Sequence, residues 1–175
     1  MRSALRFGMA IAVFGVLALV SGPDGSVLAA SAPAIMINTE HAAPREVEET
    51  TQKALARDYA TAWQAMTEAL DKNRADLLGA NFIGTANEKL SATIQQQNKS
   101  GLHQHITDQG HSVDAVFYSP EGSAIELHDT ANLQIDVMDG GKVIHTESAT
   151  VHYVALLTAA ENSWKIRVLE AVPGF

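Results

Sequence analysis

The strongest constraint on this chain lies in its last fifty residues, where three strand-like runs follow everything helical. In Ala124–Asp139 the residues Ile125, Leu127, Ala131, Leu133, Ile135 and Val137 carry odd numbers, and Glu126, His128, Thr130, Asn132, Gln134 and Asp136 carry even ones. A period of two marks a strand with one buried and one wet face. Gly140-Gly141 supplies the positive φ angles of a two-residue hairpin turn, and Lys142–Ala159 forms the return. Glu161-Asn162-Ser163 then turns the chain into Trp164–Val172, where Trp164, Ile166 and Val168 alternate with Lys165 and Arg167. On the return strand Ile144 is expected opposite Val137, whereas Val151, Tyr153, Ala155 and Leu157 make the best core set. That switch of phase calls for a β-bulge near Thr146–Ala149, which would bend the sheet.

Upstream, apolar residues recur at Leu55, Tyr59, Ala62, Trp63, Met66 and Leu70, in steps of three and four. This spacing predicts one long helix from about Pro44 to Asn73, its first turn favoured by Pro44, Glu46, Glu48 and Glu49. Asp76–Gly79 reads as a short helical turn. Thr85 and Glu88 have the spacing of a capping box, opening a second helix that ends near Lys99 at Gly101. Leu102–Thr107 and Ser112–Tyr118 read as two short strands separated by Asp108–His111.

The chain begins differently. Arg2 and Arg6 precede Phe7–Val20, an uncharged apolar run broken by Ser21-Gly22-Pro23. This is the layout of a secretory signal peptide, expected over residues 1–29, and the run is short for a spanning helix. Residues 30–44 read as a flexible lead-in, and residues 45–175 as one domain. Export to the periplasm or the medium is therefore expected, with no stable membrane insertion after cleavage. Twelve basic against twenty acidic residues give a formal charge of −8, and no Lys/Arg cluster exists. Phosphate backbones are bound by clustered positive charge, so nucleic acid is not an expected partner. The absence of cysteine excludes thiolate metal sites, and nothing in the sequence calls for a cofactor.

Helices followed by a curved antiparallel sheet, ending in a long hairpin and a Trp164-Lys165-Ile166-Arg167-Val168 strand, resemble the nuclear transport factor 2-like superfamily. The match runs over roughly Val47–Val172 and is best at Val151-His152-Tyr153 and Asn162–Ile166. The resemblance implies an α+β cone with a cystatin-like architecture: N-terminal helices, one of them long, packed against a strongly curved antiparallel sheet of four to five strands. It also implies a pocket between the sheet and the long helix. Members include isomerases, dehydratases and polyketide cyclase-like domains as well as exported domains without catalysis, so the fold does not assign an activity. Sheets of this superfamily also pair face to face, which makes a homodimer an expectation.

Three sets of residues carry candidate chemistry. His103 and His105, two apart on one strand, share a face and with a third histidine (His111, His128 or His152) could hold zinc; solvated strand histidines are the plainer account. If partners across the hairpin sum to 281, Asp136 faces His145, a surface pair on the wet face. Asp129 falls on the core face of its strand, where an acid is either turned outward by a bend around His128–Thr130 or functional. With Tyr59 and Tyr153 it forms the acid–base candidate, because an isomerase of this superfamily pairs an acidic base with a tyrosine. Tyr59, Trp63, Met66, Leu133, Tyr153 and Trp164 are the residues expected to line a ligand pocket, although a stripe at helical spacing such as Tyr59, Trp63, Met66 and Leu70 is far more often plain core. Taken together these readings favour an exported, non-enzymatic domain binding a small apolar ligand or an envelope protein, with a pocket enzyme as the alternative.

Overall fold

The computed structural model describes residues 35–175; the expected signal peptide lies outside the described residues. The elements run β1 (Ile37–Asn38), β2 (Ala43–Pro44), α1 (Glu49–Asp71), a 3₁₀ turn (Ala75–Leu78), α2 (Gly84–Ser100), β3 (Leu102–Tyr118), β4 (Ala124–Asp139), β5 (Lys142–Ala160) and β6 (Ser163–Val172). They form an α+β fold in which both helices pack on one face of an open six-stranded sheet. Its order is β1-β3-β4-β5-β6, with β2 also against β3. The two short strands run parallel to β3, and all other pairs are antiparallel. The end of the stretch expected as a lead-in thus joins the sheet, and because Pro44 lies in β2, α1 starts at Glu49 rather than at Pro44. No helix among the described residues is long and apolar enough to cross a membrane.

The inner stripe of α1 is the one its spacing predicts: Leu55, Tyr59, Ala62, Trp63, Met66, Ala69 and Leu70 are buried. Each larger apolar side chain so placed contributes roughly 1.5–3 kcal/mol over the exposed state. Asp58 is also buried and ties α1 to the sheet, its Oδ2 accepting from the backbone N–H of Trp164 at 2.8 Å. α2 begins at Gly84, and the capping box does not form. Thr85 instead donates its hydroxyl to the carbonyl of Arg167 at 3.1 Å, a partner 82 residues away that no local pattern reveals. Gly101 ends α2 with φ +73°, the left-handed conformation expected of a C-terminal glycine.

The sheet bends at four places where one strand gains a residue: Gln109 and Val116 on β3, Ile144 on β5 and Arg167 on β6. An extra residue increases local twist and kinks its strand, so the bulges curve the sheet around α1. The phase switch on β5 is therefore real but lies at Ile144, nearer the turn than Thr146–Ala149. One consequence is that Val137 faces His145 and Asp136 faces Thr146. The Asp136–His145 pair does not exist; Asp136 instead accepts from the Thr146 hydroxyl at 2.6 Å. A second correction concerns β3, which is one continuous strand through Asp108–His111, with Gln109 bulged and no turn there.

Candidate functional site

The inner face of the sheet carries a buried charge network that begins at Asp129. β4 is in regular register on both sides of this residue, opposite Val113 on β3 and Tyr153 on β5, so no bend turns it outward. Its exposure is 0%, which among the described residues makes it the one carboxylate wholly enclosed in the core. A buried ion persists only when paired and hydrogen-bonded. Asp129 meets this need through two partners. The Tyr59 hydroxyl donates to Oδ2 at 2.8 Å, and Nδ1 of His111 lies 2.8 Å from Oδ2 and 3.0 Å from Oδ1.

His111 reaches the interior because of the Gln109 bulge. Before it, the even residues Gln104, Ile106 and Asp108 face inward; after it, the odd residues His111, Val113 and Ala115 do. Asp108 clamps the bulge, its Oδ1 accepting from the backbone N–H of Gly110 at 2.8 Å and its Oδ2 lying 3.0 Å from His111 Nε2. Both ring nitrogens of a fully buried imidazole therefore face carboxylate oxygens. A carboxylate only accepts, so both nitrogens donate when the ring is an imidazolium. Burial opposes that charge, but the hydrogen bond and charge of Asp129 and the charge of Asp108 outweigh it, and the His111 pKa is raised.

A raised histidine pKa means that the folded protein holds a proton the unfolded chain releases. This stabilisation is therefore full below the ordinary imidazole value of about 6.5 and is lost as pH rises through the higher folded value. We expect unfolding free energy, measured by urea titration between pH 6 and 9, to fall with pH at up to about 1.4 kcal/mol per unit in that window. His111→Gln should flatten the slope; an unchanged slope in that variant would place the proton elsewhere.

The two tyrosines behave differently. Tyr59 is fully buried, and burial, then the Asp129 charge, pushes its hydroxyl well up and keeps it a donor. Tyr153 is raised by the same two causes in the same order. Trp63 stands between the network and the rest of the interior, its ring centroid 4.5 Å from that of His111 and 5.5 Å from that of Tyr153. Its buried Nε1 makes no hydrogen bond of ordinary geometry; it lies near enough to Tyr59 to favour a phenolate there, yet burial and Asp129 outweigh it.

On the far side of Trp63 opens a cavity of about 250 Å³ between α1, α2 and the sheet. Of the expected pocket residues, Trp63, Met66, Leu133 and Tyr153 line it. Tyr59 does not, being committed to Asp129, and Trp164 packs instead against Tyr118 at 6.3 Å. Asp129 and His111 do not line it either. The acid–base candidates thus converge with each other, within hydrogen-bond distance, but behind an indole wall.

His103 and His105 lie at the free edge of β3 near the end of α1. Asp71 Oδ1 is 3.2 Å from His105 Nδ1 and 3.9 Å from His103 Nε2. Among the described residues no group of three histidine, cysteine or acidic side chains has metal-holding geometry. Asp108 and His111 are the site residues that periodicity missed. Their signal was present: Asp108 continues the inward even phase and His111 begins the inward odd phase, once Gln109-Gly110 is taken as a bulge rather than a turn.

No family model matches the chain, and no curated protein does. Among solved structures it is similar to the intermembrane-space region of the chloroplast protein ARC6, at 17% identity and a TM-score of 0.62, over 74% of this chain and 98% of that one. It also aligns with Aln2 from a Streptomyces species (14% identity, 73% of this chain and 94% of that chain, TM-score 0.47) and with ActVI-ORFA from Streptomyces coelicolor (10%, 67% and 96%, TM-score 0.47). At such identities a likeness shows the fold alone, and it is the α+β arrangement of helices on a curved, mostly antiparallel sheet that the resemblance to the nuclear transport factor 2-like superfamily implies.

Proposed function

We propose that the chain is an exported, non-enzymatic domain that binds a small apolar ligand in the cavity between its helices and the sheet. The observation that carries this reading is the separation of the two interior features. The cavity is walled by Met66, Leu70, Leu90, Ile106, Leu133 and Ile135, while the charged Asp108–His111–Asp129 set lies outside it. Largely apolar concavities with a few polar groups are the usual form of a small-molecule site. A general acid or base must come within hydrogen-bond reach of its substrate, and here Trp63 intervenes. The basic Arg2–Arg6 start and the apolar run Phe7–Val20 support export.

The alternative, a pocket enzyme, is favoured by one observation, the meeting of Asp129, His111 and Tyr59 at 2.8 Å contacts. It requires Trp63 to move aside. Binding of an envelope protein or of a second copy would use the outer surface and is compatible with a filled cavity.

The test uses full-length protein and 1-naphthylamine, an uncharged fluorescent probe. Saturable single-site binding is expected. Ala171, exposed at the rim of the cavity, can be enlarged without crowding the core, and Ala171→Trp should weaken binding about tenfold or more, equivalent to about 1.4 kcal/mol. Equal affinity in the two proteins would remove the ligand from this cavity.

A further inference from the structure

The cavity's few polar groups say what kind of ligand it takes. Four polar side chains line it: Lys89, Thr93, Gln104 and Tyr153. Two are already engaged. Lys89 is ion-paired with Glu170, and the Thr93 hydroxyl donates to the carbonyl of Lys89 at 3.1 Å. Gln104 and Tyr153 make no side-chain hydrogen bond among the described residues. They stand at well-separated positions on the sheet, Tyr153 opposite Asp129 and Gln104 opposite Val137. A half-buried hydroxyl beside apolar walls loses water when the cavity fills, and the loss is made good only by a ligand atom that completes its hydrogen bond.

Charge narrows the class further. Behind Trp63 and Tyr153 lie two carboxylates and a single imidazolium, a set with net negative charge. Burial, and after it the Asp129 charge, keeps the Tyr153 hydroxyl protonated and so able to donate. A ligand carboxylate here would face that field with only an ion-paired lysine in compensation. A ligand ammonium would be stripped of water against walls that present it no carboxylate. Size sets the last limit: about 250 Å³ lies below the ~300–1,000 Å³ of sites for drug-sized molecules.

We propose that the cavity takes an uncharged molecule of one or two rings, or an equally compact aliphatic one, whose hydrogen-bond acceptor meets the Tyr153 hydroxyl. This rests on the ligand-binding reading above and adds the chemical class. Calorimetric titration of the full-length protein with four probes of one shape tests it: naphthalene, 2-acetonaphthone, 2-naphthoate and 2-naphthylmethylammonium. The ketone is expected to bind most tightly. In Tyr153→Phe it should weaken about tenfold, the weight of one hydrogen bond, while naphthalene binds as before and so shows that the variant is folded. Binding of either charged probe as tight as the ketone, or a ketone affinity indifferent to Tyr153→Phe while naphthalene still binds, overturns the proposed class alone. Failure of all four probes, naphthalene included, overturns the ligand-binding reading and this inference with it.

Discussion

Asp129→Ala is expected to cost about 3–5 kcal/mol of folding stability, the range for removing one member of a buried ion pair. The carboxylate is fully enclosed and satisfies Tyr59 and His111 at once. Its removal leaves a buried hydroxyl without an acceptor and an imidazole held by Asp108 alone. For a domain of this size such a loss corresponds to a fall in Tm on the order of 10–15 °C. Asp129→Asn, which can still accept from Tyr59 but lacks the charge, should lose less. The two variants should share one further property: with the principal cause of the raised His111 pKa gone, stability no longer declines between pH 6.5 and 9 as it does in the native chain. Thermal melts and urea titrations measure both effects. A loss under about 1 kcal/mol for the alanine variant would mean that the network is hydrated rather than sealed.

Trp63→Ala carries the second large effect. The indole is buried and packs against His111, Tyr153 and, at 6.4 Å between centroids, Tyr59. Truncating a buried tryptophan costs about 3–5 kcal/mol. Here the vacated space would also join the ligand cavity to the charge network, because Trp63 is the wall between them. The expected sign is a second change beside the loss of stability: the His111 ring, protected in the native protein, becomes reactive toward an imidazole-modifying reagent such as diethylpyrocarbonate. Trp63→Phe, which keeps most of the wall, should retain protection and lose little stability. Equal reactivity of His111 in the native protein and in Trp63→Ala would show that the indole is no barrier.

Local periodicity read the long elements well, because each has a face to bury. The stripe Leu55–Leu70 on α1 and the odd-numbered face of β4 are where spacing places them. Asp129 drew notice for the same reason, as an acid where the alternation demands an apolar residue. What periodicity could not supply were the answers that depend on distant partners. Whether Asp129 is turned out or satisfied depends on Tyr59, 70 residues earlier, and on His111. Thr85 has the spacing of a cap but finds Arg167 first. Register across the β4–β5 hairpin hinges on whether Ile144 is paired or bulged, and a shift of one residue moves each neighbour to a new partner. Trp63 and Met66, one helical step apart on α1, both face the cavity, while Tyr59 on the same helix turns its hydroxyl to Asp129 on the sheet.

The bulge at Gln109 also bears on how a chain like this can diverge. Every side chain of β3 between it and the second bulge at Val116 owes its inward or outward position to the way that single supernumerary residue is accommodated. Pairing Gln109 into the ladder opposite Asn132 would carry His111 opposite Thr130 on the wet face and bring Ser112 opposite Asp129, stripping Asp129 of its cation in one event. A substitution that leaves the bulge intact changes only one side chain. Among relatives on this scaffold, whether β3 is bulged or regular at this point, more than exchanges of residue type, would therefore separate those with a charged interior from those with an apolar one. An alignment scored on residue identity alone, blind to the register of β3, would pass over that trait.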